Sequence, residues 1–323
     1  MQTIRWGILG TAKIAEEQLI PAFQSTEGAE LVGVASRDQQ RGQVFAHRNG
    51  IPQVYASYEA LLEDPTIDAV YLPLPNHLHA TWTIRAAQHH KHVLCEKPAA
   101  LNATEARQMI EACQQNNVLF MEAFMYRFHP QWERVDQWLD EGAIGSLRLI
   151  LVRFSFSLTR PQDIRWSARG GGALYDVGCY CVHLIRSITG DQLPVRVQAV
   201  ADLNEGGVDR TTVAALAFPK GELAHFDVSF VTADRQSVEL VGSEGTLLVT
   251  RPFRPDKGSP TLILRTAQGE KTEKMPQGEM YRREVEHFNA CIRGEESLLQ
   301  QPQQTVNNMA MIDAIYQAVG RNT

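Results

Sequence analysis

The sequence predicts an α/β protein in which a doubly wound parallel sheet is followed by a second, open sheet of antiparallel or mixed strands. In the first third, short β-branched runs alternate with amphipathic helical stretches, which is typical of a parallel sheet with right-handed crossovers. From about Phe124 onward, long strands come to follow one another with only turns between them. The 323 residues, 44% of them hydrophobic and 21% charged, suffice for two domains with their own cores.

Hydrophobic periodicity gives the individual elements. The first third has five predicted strands, at residues 4–10, 29–36, 69–75, 92–97 and 118–123. The remainder is predicted to hold helices at 129–141, 174–188, 281–293 and 302–319, and strands at 147–158, 195–202, 211–218, 223–231, 236–243, 245–250 and 261–266. We place the domain boundary between residues 123 and 124, and the helix 302–319 could return to cover the first domain.

Composition argues against several classes of protein. The formal charge is −6 and the basic residues are scattered, which speaks against nucleic acid as a partner. The chain lacks a leader-like start and an uninterrupted apolar stretch of membrane-spanning length, so we expect neither export nor membrane insertion. The five cysteines form no paired motif, which favours reduced thiols in the cytoplasm. The histidines between His77 and His92 lack carboxylates or thiols at ligand spacing, so no metal site is predicted.

A phosphate-binding loop is predicted where the first strand runs into a helix. A dinucleotide fold needs a glycine for the tight turn there, then small residues for approach of the pyrophosphate and for helix packing. The predicted cofactor contacts in this loop are Gly10, Thr11, Ala12, Lys13 and Ile14. Alanines replace the second and third glycines, so an ordinary strand-to-helix turn is the alternative.

The end of the second strand predicts the cofactor. A site for NAD normally presents a carboxylate here to the ribose 2′-hydroxyl, whereas this chain presents Ser36 and Arg37, followed by Arg41. A guanidinium suits a 2′-phosphate, and we therefore predict NADP(H). If Asp38 turns inward, the site would bind NAD instead. The other alternative is that this segment is a solvated loop without a role in cofactor binding.

Three separated motifs carry a family resemblance: YLPLPNHLH at 71–79, Glu96-Lys97-Pro98, and GGGALYDVGCY at 170–180. With them the whole chain resembles the Gfo/Idh/MocA oxidoreductase family. It looks most like the branch of dimeric dihydrodiol dehydrogenase, NADP-dependent D-xylose dehydrogenase and glucose-fructose oxidoreductase.

The resemblance implies an N-terminal Rossmann domain, a C-terminal α/β domain with an open, largely antiparallel sheet, and a site between them. It implies catalytic roles for Lys97, Asp176 and Tyr180. It further implies cofactor contacts from Leu74, Pro75, Asn76, His79, Glu96, Lys97, Arg165 and Trp166. The substrate contacts that it implies are Arg127, His129, Phe154, Asp176 and Tyr180.

The chemistry of the three catalytic candidates can also be argued directly. Oxidation of an alcohol needs a group that takes the hydroxyl proton, and tyrosine, with a free pKa of about 10, is a poor base near neutrality. The Lys97 ammonium beside Tyr180 would stabilise the phenolate and donate a hydrogen bond to the substrate oxygen. Asp176 lies four residues before Tyr180 and would share its helix face. The plainer interpretations are a surface lysine, a carboxylate near a helix N-terminus and a packed aromatic ring; for His183 we expect a structural hydrogen bond.

The predicted function is therefore an NADP(H)-dependent dehydrogenase or reductase that acts on a carbinol or carbonyl carbon of an aldose or a cyclic trans-diol. Two other classes stay open on the same scaffold: a non-catalytic dinucleotide and sugar sensor, and a glycoside hydrolase that retains NAD. The long strands between Val195 and Val249 favour a homodimer or homotetramer.

Overall fold

The computed structural model describes residues 2–321. Within this range the chain divides into two compact units. The first runs up to Met125 and includes Glu279–Val306, and the second comprises Tyr126–Gly278 and the residues from Asn307 onward. The predicted boundary after residue 123 lies two residues before the first change of unit. A return to the first domain was predicted for the helix 302–319. In the structure the segment that returns is Glu279–Val306, and the residues from Asn307 onward belong to the second unit.

The first unit is built on a parallel sheet of six strands in the order β3-β2-β1-β4-β5-β6. The strands are β1 (Ile4–Leu9), β2 (Ala29–Ala35), β3 (Gln53–Tyr55), β4 (Ala69–Leu72), β5 (His92–Cys95) and β6 (Phe120–Glu122). Every residue of β4 is buried, as expected for a parallel strand with both faces covered. This strand order confirms the predicted doubly wound sheet. Only β3 was missed, because three residues are too few to show a periodicity.

The helices of the described residues are α1 (Ile20–Ser25), α2 (Gln39–Asn49), α3 (Tyr58–Leu62), α4 (Asn76–Gln88), α5 (Ala103–Gln115), α6 (Pro130–Asp140), α7 (Cys179–Ile188), α8 (Met280–Ile292) and α9 (Pro302–Ala318). Helix α8 belongs to the first unit and packs on α1. The Trp6 indole of β1 donates to Asn289 Oδ1 of α8 at 3.0 Å, in the buried core. None of these helices is both long and apolar enough to cross a membrane.

The second unit contains an eight-stranded sheet in the order β14-β13-β12-β11-β7-β10-β9-β8. Its strands are β7 (Leu147–Ser157), β8 (Arg196–Leu203), β9 (Asp209–Ala217), β10 (Leu223–Ser229), β11 (Val231–Gly242), β12 (Gly245–Val249), β13 (Thr261–Thr266) and β14 (Gly269–Lys274). Neighbouring strands are antiparallel except β7 and β10, which are parallel. The predicted largely antiparallel sheet is thus confirmed. The edge strand β14 was not predicted, because its alternating charges and polar residues give no hydrophobic signal.

The two faces of the second sheet differ. One face is buried and lies against α7 and the π-helical turn Leu174–Gly178 that precedes it. The other face is open, and the cross-strand neighbours Val200 and Val213 are 76% and 47% exposed on it. The helix predicted over 174–188 therefore exists, but its first turn is π-helical and its α-helical part begins at Cys179.

Candidate active site

The predicted phosphate loop begins at a glycine that the turn requires. Gly10 follows β1 and has a φ of +109°, a conformation that side chains rarely adopt. A Cβ at this position would also stand 3.1 Å from Leu74 Cδ2, closer than ordinary van der Waals contact. The chain then enters a π-helical turn, Ala15–Leu19, that continues as α1. Thr11 and Lys13 of this loop line a cavity of about 460 Å³ together with Arg41.

The end of β2 carries guanidinium groups, while its carboxylate is engaged elsewhere. Asp38 is the N-cap of α2, and its Oδ1 accepts the backbone N–H of Arg41 at 3.0 Å. Arg41 reaches back to the phosphate loop, where its Nη2 donates to Thr11 O at 3.1 Å. Burial raises the pKa of the Tyr58 phenol, and the charge of Arg37 opposes this rise. The end of β2 therefore presents the guanidinium groups of Arg37 and Arg41, while the Asp38 carboxylate caps α2.

A buried histidine connects the loops that follow β4 and β5. The ring nitrogens of His79 lie 2.9 Å from Pro98 O and 2.7 Å from Leu74 O. Burial, the largest influence, lowers the pKa of His79 to about 4. A neutral ring holds one proton and so donates to only one of the two carbonyl oxygens. The function of His79 in the structure is thus to hold the two loops together.

Glu96 orients the start of the loop that carries Lys97. Its Oε1 accepts the Tyr71 hydroxyl at 2.7 Å, and its Oε2 accepts the backbone N–H of Lys97 at 3.2 Å. Burial raises the pKa of Tyr71 well above its ordinary value, and the neighbouring Glu96 adds to this, so the phenol stays protonated and donates. Leu74 and Pro75 lie on the adjacent loop, and Asn76 is the first residue of α4.

The glycine-rich motif of the second unit closes a loop onto itself. The N–H groups of Gly171 and Gly172 donate to Ser167 O and Arg165 O at 2.8 and 2.9 Å. A Cβ at Gly171 would collide with those same two carbonyl groups. The closed loop holds Arg165 beside the next helical turn, where its Nε donates to Asp176 Oδ2 at 2.7 Å. Arg165 also pairs with Asp163 at 3.3 Å.

Aromatic rings surround Tyr180 on α7. The side chain is 5% exposed, and its ring lies 5.6 Å from Phe154, 5.8 Å from Tyr126 and 5.5 Å from Phe253 between centroids. His183 lies one turn after Tyr180 on α7, and its Nδ1 is 2.7 Å from the Tyr126 hydroxyl. Burial raises the pKa of Tyr126 and lowers that of His183, so neutral Tyr126 donates to neutral His183. The structural hydrogen bond predicted for His183 is confirmed.

Three other candidates of the second unit have clear structural contacts. His129 caps α6: its Nδ1 accepts from Gln131 N at 3.3 Å, and its Nε2 lies 2.9 Å from Pro276 O. Because both ring nitrogens of His129 already have partners in the protein, His129 has the least support among the predicted substrate-binding residues. Arg127 pairs with Asp136 at 3.1 Å. Trp166 donates to Arg160 O at 3.2 Å and packs against Phe230, which lies between β10 and β11.

The predicted site residues thus fall into two groups. The first unit holds the phosphate loop, the end of β2, and the loops after β4 and β5 with Lys97; the second holds Asp176, Tyr180, Arg165 and Trp166 with the substrate candidates. Sequence reasoning assigned no role to Tyr58, Tyr126 or Phe253, because a lone aromatic residue carries no local signal of its own. Among residues 2–321, no cluster of three or more His, Cys, Asp or Glu side chains could hold a metal ion.

Comparison with known proteins decides the family. The family model described as "Oxidoreductase family, NAD-binding Rossmann fold" matches residues 4–124, and the one described as "GFO/IDH/MocA C-terminal domain" matches residues 132–248. The chain belongs to the Gfo/Idh/MocA oxidoreductase family. It is 39% identical to D-xylose 1-dehydrogenase (NADP(+)) 2 of Haloferax volcanii, covering 97% of this chain and 96% of the relative. It is 32% identical to trans-1,2-dihydrobenzene-1,2-diol dehydrogenase of Mus musculus, covering 90% and 88%.

A solved structure is similar over nearly the whole chain. KijD10, a 3-ketoreductase from Actinomadura kijaniata in complex with NADP and TDP-benzene, superposes with a TM-score of 0.91 at 30% identity, covering 98% of each chain. The protein is accordingly an oxidoreductase with an NAD-binding Rossmann domain.

Proposed function

We propose that this protein is an NADP(H)-dependent oxidoreductase that transfers a hydride between nicotinamide C4 and a carbinol or carbonyl carbon of an aldose or a cyclic trans-diol. The observation that carries the cofactor assignment is the end of β2, where Arg37 and Arg41 are exposed while Asp38 caps its own helix. The substrate classes are those in the names of the Haloferax volcanii and Mus musculus relatives.

The residues of the first unit fit a dinucleotide. Gly10 has the backbone conformation that a tight phosphate turn needs, and a side chain there would crowd Leu74. Arg41 already contacts Thr11 of the same loop, so its guanidinium stands between the predicted pyrophosphate and ribose positions. A phosphate on the ribose would carry close to two negative charges near neutral pH, which the two guanidinium groups would neutralise.

Tyr180 and Lys97 would carry out the proton transfer. When bound, the nicotinamide accepts the hydride from the carbinol C–H bond during oxidation and donates it during reduction. In oxidation, Tyr180 takes the proton from the substrate O–H as the C=O bond forms, and in reduction it returns that proton. The Lys97 ammonium donates a hydrogen bond to the reacting oxygen and stabilises the phenolate. Lys97 belongs to the first unit and Tyr180 to the second.

Asp176 and the aromatic residues would orient the substrate. One Asp176 oxygen accepts from Arg165, and the carboxylate would also accept from a hydroxyl next to the reacting carbon. Phe154 contacts the Tyr180 ring and offers an apolar surface to one face of a sugar or carbocycle. An aldose and a trans-diol share the vicinal hydroxyl pair that such an acceptor and Tyr180 would contact together.

The direct test is a panel of aldoses, cyclitols and trans-dihydrodiols, each assayed with NAD+ and with NADP+, read by the absorbance of the reduced nicotinamide. We expect turnover with at least one aldose or diol, faster with NADP+. Dinucleotide binding without turnover of any substrate would favour a sensor, and tightly bound NAD in the purified protein together with glycoside cleavage would favour a hydrolase.

A further inference from the structure

Asp209 is a fully buried carboxylate that lies outside the predicted site but binds the segment leading into it. It is the first residue of β9 and has no solvent exposure. Its Oδ2 accepts the backbone N–H of Leu174 at 2.7 Å, and also the Thr212 hydroxyl at 3.1 Å. Leu174 begins the π-helical turn that carries Asp176 and continues into α7 with Tyr180. The carboxylate therefore anchors the first residue of the acid/base segment to the sheet.

The third glycine of the motif is explained by the same carboxylate. Gly172 has a φ of +122°, and a Cβ on it would collide with Asp209 Oδ1. Gly172 O in turn accepts the N–H of Asp176 at 3.0 Å, while its N–H donates to Arg165 O. The glycine, the helical turn and Arg165 are thus held in one geometry around Asp209.

The last helix supplies the other contacts of Asp209. The Tyr316 hydroxyl of α9 donates to Oδ1 at 2.9 Å, and both side chains are buried. Burial, together with the charge of Asp209, raises the pKa of Tyr316 well above its ordinary value, so the phenol remains a donor. Arg321 lies 3.6 Å from the same oxygen, and its guanidinium covers the Tyr316 ring at 4.5 Å. The charge of Asp209 is therefore balanced from the C-terminal end of the described chain.

We propose that Asp209, held by Tyr316, is the positioning residue that sets the geometry of Asp176 and Tyr180 for hydride transfer. A buried charge with strong, directional hydrogen bonds to both the helical turn and α9 restricts the turn more than apolar packing would. This role rests on the proposed function of Tyr180. It makes α9, which is distant in sequence from both catalytic candidates, a determinant of turnover.

Tyr316→Phe tests the role, because it removes one hydroxyl and leaves the ring contacts in place. A small displacement of a catalytic group costs up to about a hundredfold in rate, so we expect a loss in kcat of about tenfold. The apparent KM for NADP+ should stay within about twofold, because the predicted cofactor contacts of the phosphate loop and β2 do not involve α9. Hydrogen–deuterium exchange should become faster in peptides that cover residues 170–180, since the turn is less restrained.

A control variant separates positioning from general destabilisation. Tyr55→Phe makes the same chemical change in the first unit, where the Tyr55 hydroxyl donates to Asp64 at 2.5 Å. This variant should keep kcat and the exchange of residues 170–180 near wild type. If Tyr316→Phe does not fold, Arg321→Gln, which removes only the counter-ion, should show the same pattern more weakly.

The outcomes distinguish this role from the proposed function. Unchanged exchange over residues 170–180 in Tyr316→Phe refutes the positioning role whatever the activity, as does an equal loss in Tyr55→Phe. The positioning role is also refuted if Tyr316→Phe shows faster exchange but an unchanged kcat while Tyr180→Phe is inactive. Full activity of Tyr180→Phe would refute the proposed function instead, and the role of Asp209 in catalysis would fall with it.

Discussion

The Arg37 side chain should determine which cofactor the enzyme prefers. Arg37 is exposed at the end of β2, and its charge acts on the Tyr58 phenol, whose pKa it lowers against the effect of burial. In Arg37→Ala the 2′-phosphate of NADP+ would lose one charge-assisted contact, whereas NAD+ has no phosphate there to lose.

The magnitude follows from the exposure of the site. A hydrogen bond to a charged group contributes about 1.5 to 3 kcal/mol, and solvent screening at an exposed position favours the lower end. A loss of about 1.4 kcal/mol corresponds to a tenfold change in binding. We therefore expect the apparent KM for NADP+ to rise about tenfold, with the KM for NAD+ changing by less than about twofold.

The assay is steady-state kinetics at saturating substrate with each cofactor in turn. Arg265→Ala is the matched control, since Arg265 is an exposed arginine of β13 paired with Glu270 and makes the same change in net charge. A second variant, Asp38→Asn, tests the opposite assignment: an asparagine still caps α2, so the KM for NAD+ should not change. An equal rise in KM for both cofactors in Arg37→Ala, or a large rise for NAD+ in Asp38→Asn, would refute the reasoning.

The structure leads to two further predictions. Arg134 binds both oxygens of Glu273 at 2.8 and 2.9 Å and, as the main cause, lowers the pKa of Glu273 to about 2. Because the folded pKa is depressed, the pair stabilises the fold above the carboxyl's unfolded pKa of about 4.5, and this contribution is lost as the pH falls toward 2. Glu273→Gln should therefore lower the free energy of unfolding at pH 7 by about 1 kcal/mol or less, and by less again at pH 3.5 in urea titrations; a difference that does not depend on pH would contradict this. The exposed residues Val200 and Val213 lie on the open sheet face, which we expect to pair with a second copy of the chain. Val200→Lys should therefore shift the protein from dimer toward monomer in light scattering at micromolar concentration. A wild-type protein that is monomeric under these conditions would contradict the expectation.

Periodic patterns in the sequence were sufficient for most of the fold. The β-branched runs of the first third became parallel strands because burial on both faces demands continuous apolar residues, and β4 shows this at every position. The strands β3 and β14 were not predicted, the first because it has only three residues and the second because it is a charged edge strand. The π-helical turn before α7 was not predicted either, since helical periodicity does not distinguish a π turn from an α turn.

Within the candidate site, local motifs were informative and long-range partners were not. The sequence pointed to Arg37, and the alternative role of Asp38 could be judged only when its hydrogen bond to the Arg41 backbone was seen. Asp209 lies 35 residues after Leu174, the residue whose backbone it binds. Its partner Tyr316 lies 107 residues further along the chain. No sequence spacing predicts that these positions are in contact, because the hydrogen bonds of a buried carboxylate depend on residues that only the folded structure brings together.

The central claim is that Tyr180 is the acid/base of a hydride transfer, and the pH dependence of alcohol oxidation in Tyr180→Phe tests it most directly. The variant loses one hydroxyl on α7, so it should fold and bind NADP+ like the wild type. Its kcat should be lower by about 10²- to 10⁴-fold, and the rise in rate with pH that we expect for the wild type should be absent. Tyr126→Phe, whose hydroxyl is committed to His183 in the same aromatic cluster, is the matched control and should keep the wild-type pH profile. Near-full turnover with an unchanged pH profile in Tyr180→Phe would contradict the assignment.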